Sequence, residues 1–149
     1  MTSIAANLQA VRARIAAACA GAGRATESVQ LLAVSKTWPA ASVREAIAAG
    51  QRAFGENYVQ EAVAKAAELG DPGLEWHFIG PLQGNKTRLV AENFAWVHSV
   101  ERLKIAERLA AQRPQRRHPV LRDAEHHVAR PVVRQPQHRL VHADAVAIF

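Results

Sequence analysis

Three residues with useful chemistry follow or interrupt successive short apolar runs: Lys36 after "LLAVS", Asn57 after "AFGE", and His77 inside "EWHFIG". A lysine amine is a nucleophile when neutral. Desolvation or a neighbouring cation raises the neutral fraction, and such an amine condenses with an aldehyde to form an imine. Lys36 has an equally plain reading as a solvated loop lysine or a salt-bridge partner. Asn57 can hydrogen-bond a ligand or cap the helix that follows it. His77 is either a satisfied core imidazole or a group that reaches the same rim. Gln83, Asn85 and Lys86 follow the third run, where ligand binding and surface capping are both natural. His98 ends a fourth run, "WVHSV", and is read as structural.

The elements that must position these groups are visible in the hydrophobic rhythm. Ile4, Leu8, Val11, Ile15 and Cys19 recur at helical spacing, and Gly21 and Gly23 stop the run. Strands are expected at 31–35, 52–55, 75–80 and 96–100. The intervening helices carry Val43, Ala46 and Ile47, then Val59, Ala62, Val63 and Ala66, then Leu89 and Val90 inward over 82–94. Asn57 is expected to cap the second of these, with Tyr58 in its first turn. Ser99 is expected to cap a last helix bearing Leu103, Ile105, Ala106 and Leu109. A helix followed by four strand–helix pairs with short loops is the pattern of a parallel sheet covered by helices. Four units fit an open sheet or half of a closed barrel. No glycine-rich phosphate loop follows the first strand, where the motif is Ser35-Lys36-Thr37, so a nucleotide-binding fold is disfavoured. In βα architectures, polar residues at the C-terminal ends of strands form the functional mouth.

The 149 residues suffice for one modest domain. The single cysteine, Cys19, excludes an internal disulfide and favours a reducing compartment. The N-terminal apolar positions are interrupted by Asn7, Gln9, Arg12 and Arg14, so neither a signal peptide nor a membrane span is expected, and the default location is cytoplasmic. The formal charge is +6, with +3 in residues 1–115 and +3 in the 34 residues that follow. Such a bias attracts anions without identifying one.

"LLAVSKTWPA", "AFGENYVQEA", "LEWHFIGPLQGNK" and "WVHSVERLKIAERL" resemble the pyridoxal 5′-phosphate homeostasis protein family, also called YggS/PROSC-like, which is related to the N-terminal barrel domain of alanine racemase. The resemblance runs from about Ile4 to Pro114. It implies an α/β fold, a partial (β/α)8 TIM barrel with about four βα units after an N-terminal helix. It also implies that Lys36 carries pyridoxal phosphate as a Schiff base, with Asn57 and then His77 as further cofactor-binding residues. Gln83, Asn85 and Lys86 match family motif positions without an assigned role. The implied function is intracellular homeostasis of the cofactor, without an enzymatic turnover, and handing over to PLP-dependent apoenzymes. A racemase-like enzyme is an alternative that would need an acid–base group on the opposite face of the ring, which alanine racemase takes from a second domain. A basic module binding RNA or another polyanion is the rival from a different class.

The likeness stops after Pro114. Residues 116–149 contain six arginines, five of the seven histidines and no glycine, so they cannot match the glycine-bearing phosphate cradle of the family's late strands. A zinc site on His126, His127, His138 and His142 and an arginine-rich nucleic-acid arm are minor readings, since no cysteine or aromatic pattern accompanies them. The expectation is a divergent or frame-shifted segment, because this residue mixture is what G+C-rich DNA gives when translated out of frame. The chain is accordingly expected to be truncated relative to the family and impaired in holding the cofactor.

Overall fold

The computed structural model describes residues 3–114. The segment 116–149, its histidines and the boundary proposed beside it lie outside the described residues.

Helix α1 (Ile4–Gly21) starts at Ser3, whose Oγ accepts the Ala6 N–H at 3.2 Å, satisfying one of the free donors at a helix start. Then come β1 (Ala33–Val34), α2 (Ala40–Ala48), β2 (Ala53–Glu56), α3 (Val59–Leu69), β3 (Glu75–Phe78), α4 (Thr87–Asn93), β4 (Trp96–Val97) and α5 (Leu103–Gln112), with short 3-10 turns at Thr26–Ser28 and Gly84–Lys86. All strand pairs are parallel and the order is β1-β2-β3-β4. Sequential order with one helix per crossover winds the chain in one direction, as in a barrel wall, whereas an open doubly wound sheet reverses partway. The fold is a partial (β/α)8 barrel.

Side chains alternate across the strands. Ala33, Phe54, Trp76 and Phe78 join Leu8, Val43, Ala46, Val59, Ala62, Val90 and Phe94 in the core between sheet and helices. Phe54 packs on Trp76 with ring centroids 5.8 Å apart, and Phe78 meets Phe94 edge-on at 5.3 Å. The other face carries Val34, Gly55, His77 and Trp96, which are register partners across the four strands. Gly55 belongs there because a β-carbon on it would meet Ile79 Cδ1 at 3.1 Å and Leu32 Cδ2 at 3.5 Å. At the opposite end of the sheet, Gln51 is buried and donates to Leu31 O and Ala53 O at 2.8 Å each, while Arg12 donates to Ala49 O at 2.9 Å. A cation on the last carbonyls of α2 also suits the helix dipole.

Several expectations are corrected. Asn57 does not cap α3; Tyr58 holds that position with extended backbone, no side-chain cap bond and an exposed ring. Ser99 does not cap α5, which begins after Arg102. Leu89 is not inward: it is exposed, while Val90 and Ala91 bury that turn. The expected helix over 82–94 is a 3-10 turn followed by a two-turn α4, because Pro81 and Gly84 delay regular helix. The first, third and fourth strands are shorter than expected and β2 is shifted by one residue, while single bonds from Ser35, Ile79 and His98 N–H to Gly55, Glu56 and Phe78 O continue the ladder past the strand ends.

Candidate functional site at the C-terminal rim

Lys36 lies just past β1, in the turn that Trp38 N–H closes on Ser35 O at 3.1 Å. Ala33 and Ser35 are both fully buried. Lys36 is exposed, and none of its side-chain atoms makes a hydrogen bond or ion pair with a described residue. Its backbone surroundings are tightly held. Ser35 N–H continues the ladder to Gly55 O at 3.0 Å, and Ser35 Oγ donates to Glu56 Oε1 at 2.6 Å. On the other side, Thr37 N–H donates to Glu61 Oε1 at 2.9 Å. Thr37 has φ +67°, a left-handed conformation that β-branched residues rarely adopt.

The hub of this region is Lys65, one turn past Glu61 on α3. Its side chain is 8% exposed, and its three protons meet Ser35 O at 2.7 Å, Glu56 Oε1 at 2.8 Å and Glu61 Oε1 at 2.7 Å. Burial pushes the Glu56 carboxyl up from its usual range, and the bonds from Lys65 and Ser35 pull it back only in part. The Lys65 hydrogen bond holds Glu61 below the usual range. Glu56 Oε2 is buried without a partner among the described residues. Sequence reasoning passed over Lys65. Its signal was position: it falls on the stripe of Val59, Ala62 and Ala66, where a lysine needs acidic partners to be buried.

Asn57 and Gly80 are pressed together where β2 and β3 end. A β-carbon on Gly80 would lie 2.7 Å from both Asn57 O and Asn57 Cβ, so only glycine fits. Asn57 Oδ1 is buried without a hydrogen-bond partner among the described residues, an unmet acceptor at the rim. Asn57, Gln60, Gln83 and Lys86 line a cleft of about 320 Å³ between the loops after β2 and β3. Neither Lys36 nor His77 lines it, so the residues proposed from the sequence do not come together in this cleft. Asn85 does not line that cleft either and is exposed in the 3-10 turn.

His77 is buried on the inner face, with Nε2 2.8 Å from Glu75 Oε1 and Nδ1 2.9 Å from His98 Nε2. An ionised carboxylate only accepts, so His77 Nε2 carries a proton. One proton lies between His77 Nδ1 and His98 Nε2, and which ring donates it depends on the tautomers of the pair. Trp96 stacks on the His77 ring at 6.1 Å. Burial works to raise Glu75, but bonds from His77 and Gln30 outweigh it and leave the carboxyl below its usual range. Burial, then the neighbouring His77 charge, lower the His98 pKa. His77 is thus a satisfied imidazole on the sheet face that carries Val34, Gly55 and Trp96. No group of three or more metal-ligating side chains occurs among the described residues, and no helix there is long and apolar enough to cross a membrane.

No family profile matches the chain. Curated relatives do. The chain is 65% identical over 114 residues to the pyridoxal phosphate homeostasis protein of Pseudomonas aeruginosa, and 62% identical over 117 residues to that of Escherichia coli K12. Each match covers 76% of this chain and 50% of the relative, so the chain spans about half the length of the curated relatives it matches. Among solved structures it is similar to PipY of Synechococcus elongatus with PLP bound, at 51% identity and a TM-score of 0.63 over 74% of this chain and 48% of that one. Across the matched three-quarters of its length, the chain is similar to the pyridoxal phosphate homeostasis proteins.

Proposed function

We propose that this chain holds pyridoxal phosphate as a Schiff base on Lys36 and serves intracellular homeostasis of that cofactor, without a catalytic turnover of its own. The observation that carries the reading is the placement of Lys36. It follows the C-terminal end of a parallel strand and is exposed, with an amine committed to no described partner. That arrangement fits the aldehyde end of the cofactor. Bound pyridoxal phosphate supplies an aldehyde carbon to which a neutral amine adds, the carbon–nitrogen double bond forming as one water leaves.

The remaining assignments follow from what each side chain has free. Asn57 offers an unmet acceptor at the rim and is the second cofactor-binding candidate. Both nitrogens of His77 are engaged with Glu75 and His98, so its part is to present a ring fixed in orientation. The absence of turnover is consistent with the relatives' name and with the exposed position of Tyr58, the chain's only tyrosine, at the start of α3. Handing the cofactor to PLP-dependent apoenzymes belongs to the same proposal.

The test is incubation of the full chain with pyridoxal phosphate, borohydride reduction and peptide mass mapping. One cofactor per chain on Lys36, lost in Lys36→Ala, is the expected result. A folded sample with no adduct, or with the adduct on other lysines only, overturns the reading.

A further inference from the structure

We propose that Glu61 and Lys65 are positioning residues for Lys36, acting through the two peptide groups that flank it. The inference rests on Lys36 as the attachment point. The carbonyl of the Ser35–Lys36 peptide accepts from Lys65 Nζ at 2.7 Å, and the N–H of the Lys36–Thr37 peptide donates to Glu61 Oε1 at 2.9 Å. Those two planes bracket the φ and ψ of Lys36, so holding both fixes the direction of its Cα–Cβ bond. The two anchors are themselves joined, since Lys65 Nζ donates to the same Glu61 Oε1 at 2.7 Å. Both come from α3, so that helix sets the backbone from which the Lys36 side chain departs.

Two features mark this as more than a generic ion pair. Lys65 Nζ has three protons and three acceptors, and one of them is a backbone carbonyl beside Lys36. Thr37 is also held at φ +67° with its N–H on Glu61. Such a conformation persists in a β-branched residue only where the surroundings impose it. Lys36 makes no described side-chain contact, so its orientation before any ligand arrives depends on its backbone.

The test compares Glu61→Ala with Glu61→Gln, because glutamine keeps an acceptor for the Thr37 N–H and alanine does not. Glu61 is part-exposed, which leaves the fold intact, and a denaturation midpoint is recorded for each protein. Two readouts are taken on the full chain: amide exchange at Thr37 without ligand, and the rate at which pyridoxal phosphate becomes trapped on Lys36 by borohydride. In Glu61→Ala we expect Thr37 exchange to quicken and trapping to slow, each by about tenfold for one lost charge-assisted hydrogen bond, with substantial recovery in Glu61→Gln. The double variant Glu56→Gln/Lys65→Met removes both buried charges together, so it keeps the fold while releasing the Ser35 carbonyl, and it too should slow trapping. Folded variants whose trapping rates equal the parent's overturn the proposal. If the parent traps nothing on Lys36, the attachment reading fails instead, and the Thr37 exchange still reports whether Glu61 anchors that peptide.

Discussion

His77 bridges Glu75 and His98 on the inner face of the sheet, its Nε2 2.8 Å from Glu75 Oε1 and its Nδ1 2.9 Å from His98 Nε2. The two rings share one proton along that contact, so charging both at once would set two cations side by side.

A pH prediction follows. The folded pKa of His98 lies below its ordinary value of 6.5 because of burial and the charge of His77. As pH falls below about 6.5, the unfolded chain takes up its proton first, so stability drops until the folded pKa is passed. The lowered carboxyls act in a separate window. Glu75 and Glu61 lie below 4.5, so their contribution is present above that value and is lost as pH falls through their folded pKa values. Urea denaturation at closely spaced pH values should show a loss of stability beginning as pH falls below about 6.5 that His98→Gln removes. An unchanged loss in His98→Gln would assign that transition to another group.

The buried charges around Lys65 should be costly to break singly. Lys65→Met leaves Glu56 buried without its cation, and loss of about 3–5 kcal/mol is expected. Pairing it with Glu56→Gln removes the stranded charge as well, so most of that loss should be recovered. Equilibrium denaturation of the two single variants and the double variant measures the coupling. Additive single and double effects would mean that Lys65 and Glu56 do not stabilise each other.

Gly80→Ala tests the contact where the second and third strands end. The added methyl carbon would lie 2.7 Å from a backbone oxygen that cannot swing away, so the rim must open. A cost of about 1–3 kcal/mol is expected, read as a lower denaturation midpoint at an unchanged slope. A Gly80→Ala protein as stable as the parent would show that the two rims separate freely.

Much of the wall was legible in the sequence because each strand–helix pair carries its own local signal. Val43, Ala46, Val59 and Ala62 keep helical spacing, and all four are buried. Lys36 could be placed because it follows a run too apolar for a surface strand. The misplaced residues are those whose environment is set by tertiary contact. Asn57 has the composition of a helix cap, yet its neighbour Gly80 draws it into the rim and α3 starts two residues later. Leu89 follows helical rhythm, but α4 has only two turns and its buried side is Thr87, Val90 and Ala91. Lys65 looked like an ordinary helix lysine. Its burial depends on Glu56, which is nine residues away in sequence and joined to it only through the packing of α3 on the sheet.

The exposed amine allows stability and function to be separated at one position. Lys36 has no described side-chain partner, so Lys36→Ala should change unfolding free energy by no more than about 0.5 kcal/mol, as for surface substitutions generally. Its neighbours Ser35 and Thr37 keep their bonds because those involve backbone groups and the Ser35 hydroxyl. Trapping of pyridoxal phosphate should nevertheless vanish, since alanine supplies no nucleophile. Lys36→Arg is the sharper comparison: it keeps the charge but a guanidinium stays protonated and cannot condense with an aldehyde. If both variants denature at the parent's midpoint and both lose the borohydride-trapped mass, the amine acts through its chemistry and its charge alone is insufficient. Retention of the adduct by Lys36→Arg would move the covalent site to another lysine on the chain.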